Sequence, residues 1–292
     1  MRNTALQFRE FSATDALRTA VLALQRARIE TASLDARLLL QHVLGLNREQ
    51  WLAAVSAELN SQQHAAYREL IERRINRQPL AQLTGKREFW DLTFKVTEAT
   101  LDPRPDSETL IEAVLSGVRD QGSGIRILDL GTGTGCLLLT LLELFPNASG
   151  IGVDKSEAAL AVAQENAESL GFEARAHFLK SCWGEKVDGV FDIVISNPPY
   201  IPTATIATLA PEVRDFEPRS ALDGGTDGLD CYREIVPYLE HLLAPNGIAV
   251  FEIGMGQQRD VESIVTGSNL QVAGVKEDMA GIPRCIVITC NH

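Results

Sequence analysis

None of the five cysteines, Cys136, Cys182, Cys231, Cys285 and Cys290, is paired as Cys-x-x-Cys, and no His-rich segment accompanies them. That excludes a zinc ribbon and argues against a disulfide framework, so no metal is expected. No run approaches the roughly 18 uninterrupted apolar residues of a membrane helix. Met1 to Glu10 lack the apolar core of a secretory signal, so a reduced, cytoplasmic protein away from membranes is expected. Positive charge is scarce: Lys+Arg 27 stand against Asp+Glu 39, a net −12. Such a polyanion is a poor default binder of nucleic acid. Lysine is missing altogether from residues 1–85, where 11 arginines face 8 acids for a balance of +3; residues 86–292 carry −15. The asymmetry suggests two units with different surroundings, although solvated surfaces alone would also produce it.

The 292 residues, 45% apolar and 23% charged, are a folded chain of one large or two ordinary domains. From Thr14 to Gln78 the pattern is helical, with Leu17, Val21 and Leu24 at i, i+4 and i+7, and four-residue steps at Leu34/Leu38 and Leu39/Val43. Ser33 is placed as the N-cap of the second helix and Gly45 as its stop. Leu70, Ile71 and Ile75 mark a further helix ended by Pro79. No alternating pattern appears, so residues 1–84 are expected to be an all-α bundle of four or five helices. Between Gly85 and Thr97 the period falls to two, which predicts a β-hairpin linker over 85–103. Pro103 to Glu108 then favour the start of a helix at about 106–119.

Over 104–292, apolar runs at Ile125–Leu130, Ser149–Asp154, Phe191–Ser196, Ile248–Ile253 and Arg284–Thr289 read as strands, with early helices near 134–145 and 156–170. Alternation of this kind predicts an α/β, Rossmann-like domain with a mostly parallel sheet covered on both faces.

The first strand ends in Asp129-Leu130-Gly131-Thr132-Gly133-Thr134-Gly135 and runs into a helix. Glycines there allow tight turning and close approach to a ligand, or simply a strand-to-helix turn. The spacing is G-x-G-x-G, not the G-x-G-x-x-G of a pyrophosphate-binding fold, because position 136 is Cys. Asp154, at the end of the second strand, suits two ribose hydroxyls, or the cap of the helix starting near Ser156. Trp183 suits stacking on an adenine, or ordinary rim packing. Asn197-Pro198-Pro199-Tyr200 follows an apolar strand directly, where open α/β sheets bind ligands. Two prolines fix that backbone and remove its donors. An Asn197 amide oxygen beside a carbonyl oxygen can grip both hydrogens of a planar –NH₂ group, and Tyr200 offers a flat face.

These motifs together resemble the class I S-adenosylmethionine-dependent methyltransferases that modify planar amino groups. Pro103 to Glu108, Phe216 to Gly225 and Phe251-Glu252-Ile253-Gly254 narrow the resemblance to the release-factor glutamine methyltransferases, the PrmC/HemK family. It spans nearly the whole chain, with small departures at Asp102 and Met255. The resemblance implies transfer of a methyl group from S-adenosyl-L-methionine, leaving S-adenosyl-L-homocysteine, to the side-chain nitrogen (N5) of the glutamine in the Gly-Gly-Gln motif of peptide-chain release factors. It implies that Gly131, Thr132, Gly133, Thr134, Gly135, Asp154, Trp183 and Asn197 surround the cofactor. It places Asn197, Pro198, Pro199 and Tyr200 on the substrate, with Asn197, Pro198 and Tyr200 as catalytic residues, and the bundle as the docking surface for the substrate protein. A monomer without direct nucleic-acid contact is expected. Arg104 and Glu108 are expected to orient the substrate, close the pocket, or pair at a helix start; Glu252 pairs with a backbone group. The rival readings are a methyltransferase of adenine N6 or guanine N2, which shares the –NH₂ grip but calls for a basic surface, and a silent cofactor-binding partner protein.

Overall fold

The structure is a computed structural model that describes residues 11–47, 49–51, 58–118 and 124–291. The chain divides into two compact units, residues 1–85 and 86–292.

In the first unit, α1 (Ala13–Arg26), α2 (Ala32–Leu44), α3 (Ser61–Ile75) and α4 (Leu80–Thr84) bury Leu24, Leu39, Leu40 and Leu59 completely in a shared core. Two boundaries differ from expectation. The second helix begins one residue before Ser33, with Thr31 as its N-cap, while Gly45 closes it in the left-handed region at φ 66°. Pro79 opens α4 as its N-cap. The segment is also not helical throughout: β1 (Phe11–Ser12) pairs antiparallel with β2 (Glu58–Leu59). Two residues are too few to show an alternating pattern. Asn60 and Gln63 form a reciprocal capping box at the start of α3. Among the described residues of this unit one ion pair is buried, Arg74 Nε donating to Asp35 Oδ2 at 2.7 Å.

The second unit opens with the expected hairpin, β3 (Lys86–Phe89) and β4 (Leu92–Lys95), turning at Trp90 with φ 53°. Phe89 and Phe94 are buried in this unit's main core, edge to face at 6.4 Å, so the segment expected as a linker is packed as part of the unit. A 3₁₀ turn at Pro105–Ser107 leads into α5 (Glu108–Gly117).

Behind it lies a seven-stranded sheet in the order β10-β11-β9-β8-β5-β6-β7. Its strands are β5 (Arg126–Leu130), β6 (Ser149–Asp154), β7 (Ala176–Lys180), β8 (Phe191–Ser196), β9 (Leu243–Glu252), β10 (Leu270–Glu277) and β11 (Pro283–Cys290). The run from β9 to β7 is parallel, and β11 is antiparallel to both its neighbours. The helices are α6 (Cys136–Leu144), α7 (Glu157–Leu170), the single turn α8 (Pro211–Arg214), α9 (Asp230–Leu242) and α10 (Gln258–Thr266). Central strands feed two cores alternately. Ile127, Ile193, Ile195 and Val250 face one cluster; Leu128, Leu130, Val194 and Phe251 face the other. A strand apolar on both faces is the signature of a sheet covered on both sides.

The topology also chooses the site. After β5 the chain builds β6 and β7 outward on one side, then returns to lay β8 on the other. The crevice at the carboxyl ends of β5 and β8 is this switch point, where the two crossovers leave in opposite directions. Ser196 Oγ donates to the Leu130 carbonyl at 2.6 Å and ties the two strand ends together there.

Candidate active site

Both strongest sequence motifs emerge at that crevice, around a cavity of about 670 Å³. Gly131, Thr132, Gly133, Thr134, Asp154, Trp183, Asn197 and Pro199 stand in its wall, with Ser107 and Arg104 beside them. Gly135, Pro198 and Tyr200 are not among its lining residues.

The loop after β5 is shaped by backbone conformations that L side chains rarely adopt, φ 78° at Gly131 and 55° at Gly133. The Gly131 and Thr132 N–H groups both donate to the Val153 carbonyl at 2.9 Å, hanging the loop on β6. Gly133 N–H donates to Asp154 Oδ2 at 3.1 Å and Ser156 N–H to Oδ1 at 2.9 Å. Asp154 therefore braces the loop and the start of α7, and its oxygens retain lone pairs toward the cavity. Ser156 is the N-cap of α7. From behind, the buried Asn166 amide donates to the Thr134 carbonyl at 2.9 Å and the Lys95 carbonyl at 3.1 Å, and accepts from Lys95 N–H at 2.7 Å.

Asp129, fully buried beneath the loop, accepts from Thr132 Oγ1 at 2.7 Å through Oδ2, while its Oδ1 has no hydrogen-bond partner among the described residues. Burial pushes this carboxyl up to about 7, against the pull of the Thr132 hydroxyl. The orphaned oxygen beneath the loop, the glycines of the loop and the Asp154 carboxylate in the cavity wall together fit a nucleoside carrying a polar, amine-bearing tail. Trp183 holds φ 49°, and its ring lies 3.3 Å from the position a Cβ on Gly131 would occupy. Its indole N–H donates to Glu234 Oε2 at 2.6 Å, which fixes the plane of the ring.

Elsewhere in the wall, Asn197 Nδ2 donates to Ser107 Oγ at 3.1 Å. Ser107 Oγ–H donates onward to Glu252 Oε2 at 2.5 Å, and the Tyr200 hydroxyl donates to Glu252 Oε1 at 3.1 Å. No described group donates to Asn197 Oδ1, so the amide presents an acceptor. Glu252 ends β9 and is almost completely enclosed; burial lifts its carboxyl to about 7, and burial likewise raises the Tyr200 phenol. Tyr232, whose hydroxyl donates to the Glu252 carbonyl at 2.8 Å, anchors the strand end from α9.

The segment 222–225 clasps the chain leaving the Pro-Pro turn. Ile201 N–H donates to the Leu222 carbonyl at 3.1 Å and Gly224 N–H to the Ile201 carbonyl at 2.9 Å. Gly224 has no room for a side chain: a Cβ there would meet the Pro199 and Gly228 carbonyl oxygens and Tyr200 Cα within 2.9 Å.

Arg104 and Glu108 do not pair with each other. Arg104 forms an ion pair with the buried Glu217, and Glu108 Oε1 accepts from the Trp90 N–H at 3.1 Å. Burial raises the Glu217 and Asp102 carboxyls, while the Arg104 charge draws both back. Glu252, expected to meet only a backbone group, takes two side-chain hydroxyls. Sequence reasoning gave Ser107, which it read only as part of the Pro103–Glu108 motif, no role of its own, and missed Glu234 and Asn166 altogether. Ser107 lies 90 residues from Asn197 and 145 from Glu252, so no local spacing joins them.

Comparison with known proteins agrees with this geometry. Residues 15–85 match a family described as the PrmC N-terminal domain, and residues 121–271 one described as a methyltransferase domain. A release factor glutamine methyltransferase of Rhodospirillum rubrum is 46% identical over 264 residues, 90% of this chain and 81% of that one. One of Bradyrhizobium diazoefficiens is 42% identical over 278 residues, 94% of each chain. Among solved structures, a methyltransferase from Pyrococcus furiosus aligns with TM-score 0.51 at 18% identity, over 75% of this chain and 96% of that one. A T. thermophilus 16S rRNA methyltransferase, solved with AdoMet and guanosine, aligns with TM-score 0.51 at 19% identity, over 71% of this chain and 50% of that one. At such identities these two speak for the fold alone. The curated relatives match from the helical unit through the sheet, and the chain belongs to the release factor glutamine methyltransferase family.

Proposed function

We propose that the protein transfers a methyl group from S-adenosyl-L-methionine to the side-chain amide nitrogen (N5) of the glutamine in the Gly-Gly-Gln motif of peptide-chain release factors. The observation that carries this reading is the polarity of the Asn197 amide: its Nδ2 is committed to Ser107, so Oδ1 is the end left to accept from a substrate –NH₂.

Bound S-adenosylmethionine supplies a methyl group on a sulfonium, an electrophile strong enough for a poor nucleophile. The Gly131–Gly135 loop, Asp154 and Trp183 would hold it, Asp154 offering acceptors to ribose hydroxyls and Trp183 a flat face to the adenine. Asn197 Oδ1 and the Pro198 carbonyl accept the two N–H bonds of the glutamine amide, with Pro199 fixing the turn and Tyr200 closing it from behind. Acceptors there raise electron density at nitrogen and stabilise the positive charge that develops as the N–C bond forms. The methylated nitrogen is strongly acidic and releases its proton to water. The grip on the amide would hold its nitrogen toward the methyl group, and such orientation is worth roughly 7–11 kcal/mol in favourable cases. Residues 1–84 serve as the docking surface for the release factor. The protein acts as a monomer in the cytoplasm, where its substrates work. A nucleic-acid substrate would have to approach a catalytic half that carries −15.

The test is mass spectrometry of the Gly-Gly-Gln peptide after an unmodified release factor is incubated with the protein and S-adenosylmethionine. One added methyl on that glutamine is expected, with the rate falling on the order of 10²–10³-fold in Asn197→Ala. An untouched glutamine despite bound cofactor would refute the substrate; no cofactor binding would refute the reading of the glycine loop.

A further inference from the structure

We propose that Glu252 and Ser107 are positioning residues for methyl transfer: the ionised Glu252 carboxylate, acting through Ser107, holds the Asn197 amide with its oxygen toward the substrate, and protonation of Glu252 releases that hold. The inference rests on the functional reading above, in which Asn197 Oδ1 grips the glutamine –NH₂.

The argument is one of counting donors. A carboxylate can only accept. Ser107 has one hydrogen, and with Glu252 Oε2 at 2.5 Å that hydrogen points to the carboxylate. What Ser107 offers Asn197 is therefore a lone pair. The amide group facing it at 3.1 Å must be the Nδ2 donor, which turns Oδ1 away from Ser107 and into the grip. The second carboxylate oxygen takes the Tyr200 hydroxyl at 3.1 Å, so both ends of the Asn197–Tyr200 turn are held by one group. Protonate Glu252 and the count inverts. Its new O–H donates to Ser107, the Ser107 hydrogen is freed toward Asn197, and the amide gains by turning its oxygen inward. The face left to the substrate is then –NH₂ against –NH₂, two donors with nothing to accept.

The groups around Glu252 place this change in an accessible range. On the adjoining strand β11, Arg284 favours the charged form but is itself shared with Asp278 at 3.0 Å and Asp106 at 3.4 Å; Cys285 is the ladder neighbour. From the 3₁₀ turn come Ser107 and the opposing charge of Asp106, from the Pro-Pro turn Tyr200, and from α9 Tyr232, whose hydroxyl meets the Glu252 carbonyl rather than its carboxylate. Cys136 on α6 also lies within electrostatic reach of the Glu252 carboxylate. Burial outweighs Arg284 and the two hydroxyls, and the carboxyl titrates at about 7.

The experiment is a pH profile of release-factor methylation from pH 6 to 9 for the wild type, Glu252→Gln and Ser107→Ala, with cofactor affinity and circular dichroism measured on each. Wild-type kcat/KM for the release factor is expected to fall about tenfold per pH unit below about 7 and to level off above it. Glu252→Gln is expected to lose that acid limb. Ser107→Ala is expected to lower kcat about tenfold or more, with cofactor affinity within about twofold of wild type. An acid limb that persists unchanged in a folded Glu252→Gln protein overturns the proposal. So does a Ser107→Ala protein with wild-type kcat, which decides the matter if the Gln variant does not fold. A wild type that leaves the glutamine unmethylated at every pH overturns the functional reading and this inference with it, an outcome distinct from either of the others.

Discussion

Replacing Gly224 by alanine tests whether the Asn197–Tyr200 turn is held in place from outside. The added Cβ would lie 2.8 Å from the Pro199 carbonyl oxygen, 2.9 Å from that of Gly228 and 2.9 Å from Tyr200 Cα. All three are backbone atoms, so no side chain can swing aside. Each contact falls several tenths of an ångström short of ordinary van der Waals distance, and the turn and the 222–225 clasp must move apart by about that much. Two consecutive prolines cannot absorb the shift locally, and it passes to Asn197. Overpacking of this kind costs roughly 1–3 kcal/mol of stability. The larger effect is on rate, because misplacement of a reacting group by about 1 Å costs on the order of 10². A loss of about 10–100-fold in kcat is therefore expected, with cofactor affinity unchanged. Gly171→Ala is the control: Gly171 caps α7 at φ 80° with nothing within 4 Å of its Cβ position. That change costs about 1–2 kcal/mol in torsional strain and nothing in kcat. Measured kcat, cofactor titration and thermal melts of both variants decide it. Wild-type kcat in Gly224→Ala, or an equal loss in both, would refute the reasoning.

Trp183→Ala removes the ring lying over Gly131 and is expected to weaken cofactor binding by about tenfold or more in a calorimetric titration, while kcat at saturating cofactor stays within about threefold. Asp35→Ala leaves Arg74 charged and buried without its 2.7 Å partner, and is expected to destabilise the helical unit by about 3–5 kcal/mol in urea; a loss under 1 kcal/mol would contradict the pairing. The third expectation concerns pH. Asp129 and Glu252 have folded pKa values of about 7, raised by burial above the 3.8 and 4.5 of free carboxyls. Between about pH 4.5 and 7 the unfolded chain has given up these protons and the folded one has kept them. Stability therefore falls as pH rises through that window, by up to about 1.4 kcal/mol per pH unit for each group, and flattens above it. Groups held low, such as Asp227 at about 2, titrate below this range. Urea midpoints at pH 5, 6, 7 and 8 that stay level or rise would exclude the two buried acids as its source.

The ionisation that holds Asn197 in its gripping orientation thus works against stability, the usual tension at a site shaped for chemistry. It also explains what the sequence could and could not disclose. The Gly131–Gly135 loop, Asp154 and the Asn197–Tyr200 turn were legible because each sits at the end of a central strand whose two-sided apolar run announces it. β7 and β10 were not, because they are the edges of the sheet: His177 and Lys180 are exposed on one, and Gly274 falls at a register shift in the other. Pro237 inside α9 masks a helix that reads as interrupted. The Ser107–Glu252–Asn197 network was illegible for another reason. Its members come from a 3₁₀ turn, a strand end and a loop brought together only by the switch in sheet order, and hydrogen-bond polarity leaves no periodic trace.

Asn166 offers a last consequence, in the currency of exchange rates. Its side chain is bonded to both backbone groups of Lys95 on the hairpin and to the Thr134 carbonyl of the glycine loop. Loosening either segment exposes an unsatisfied amide in a buried place, so the two open and close as a single cooperative unit. The Lys95 amide deuterium uptake becomes a clock for the loop. It slows when the cofactor quiets the loop, although no atom of the hairpin need touch the ligand.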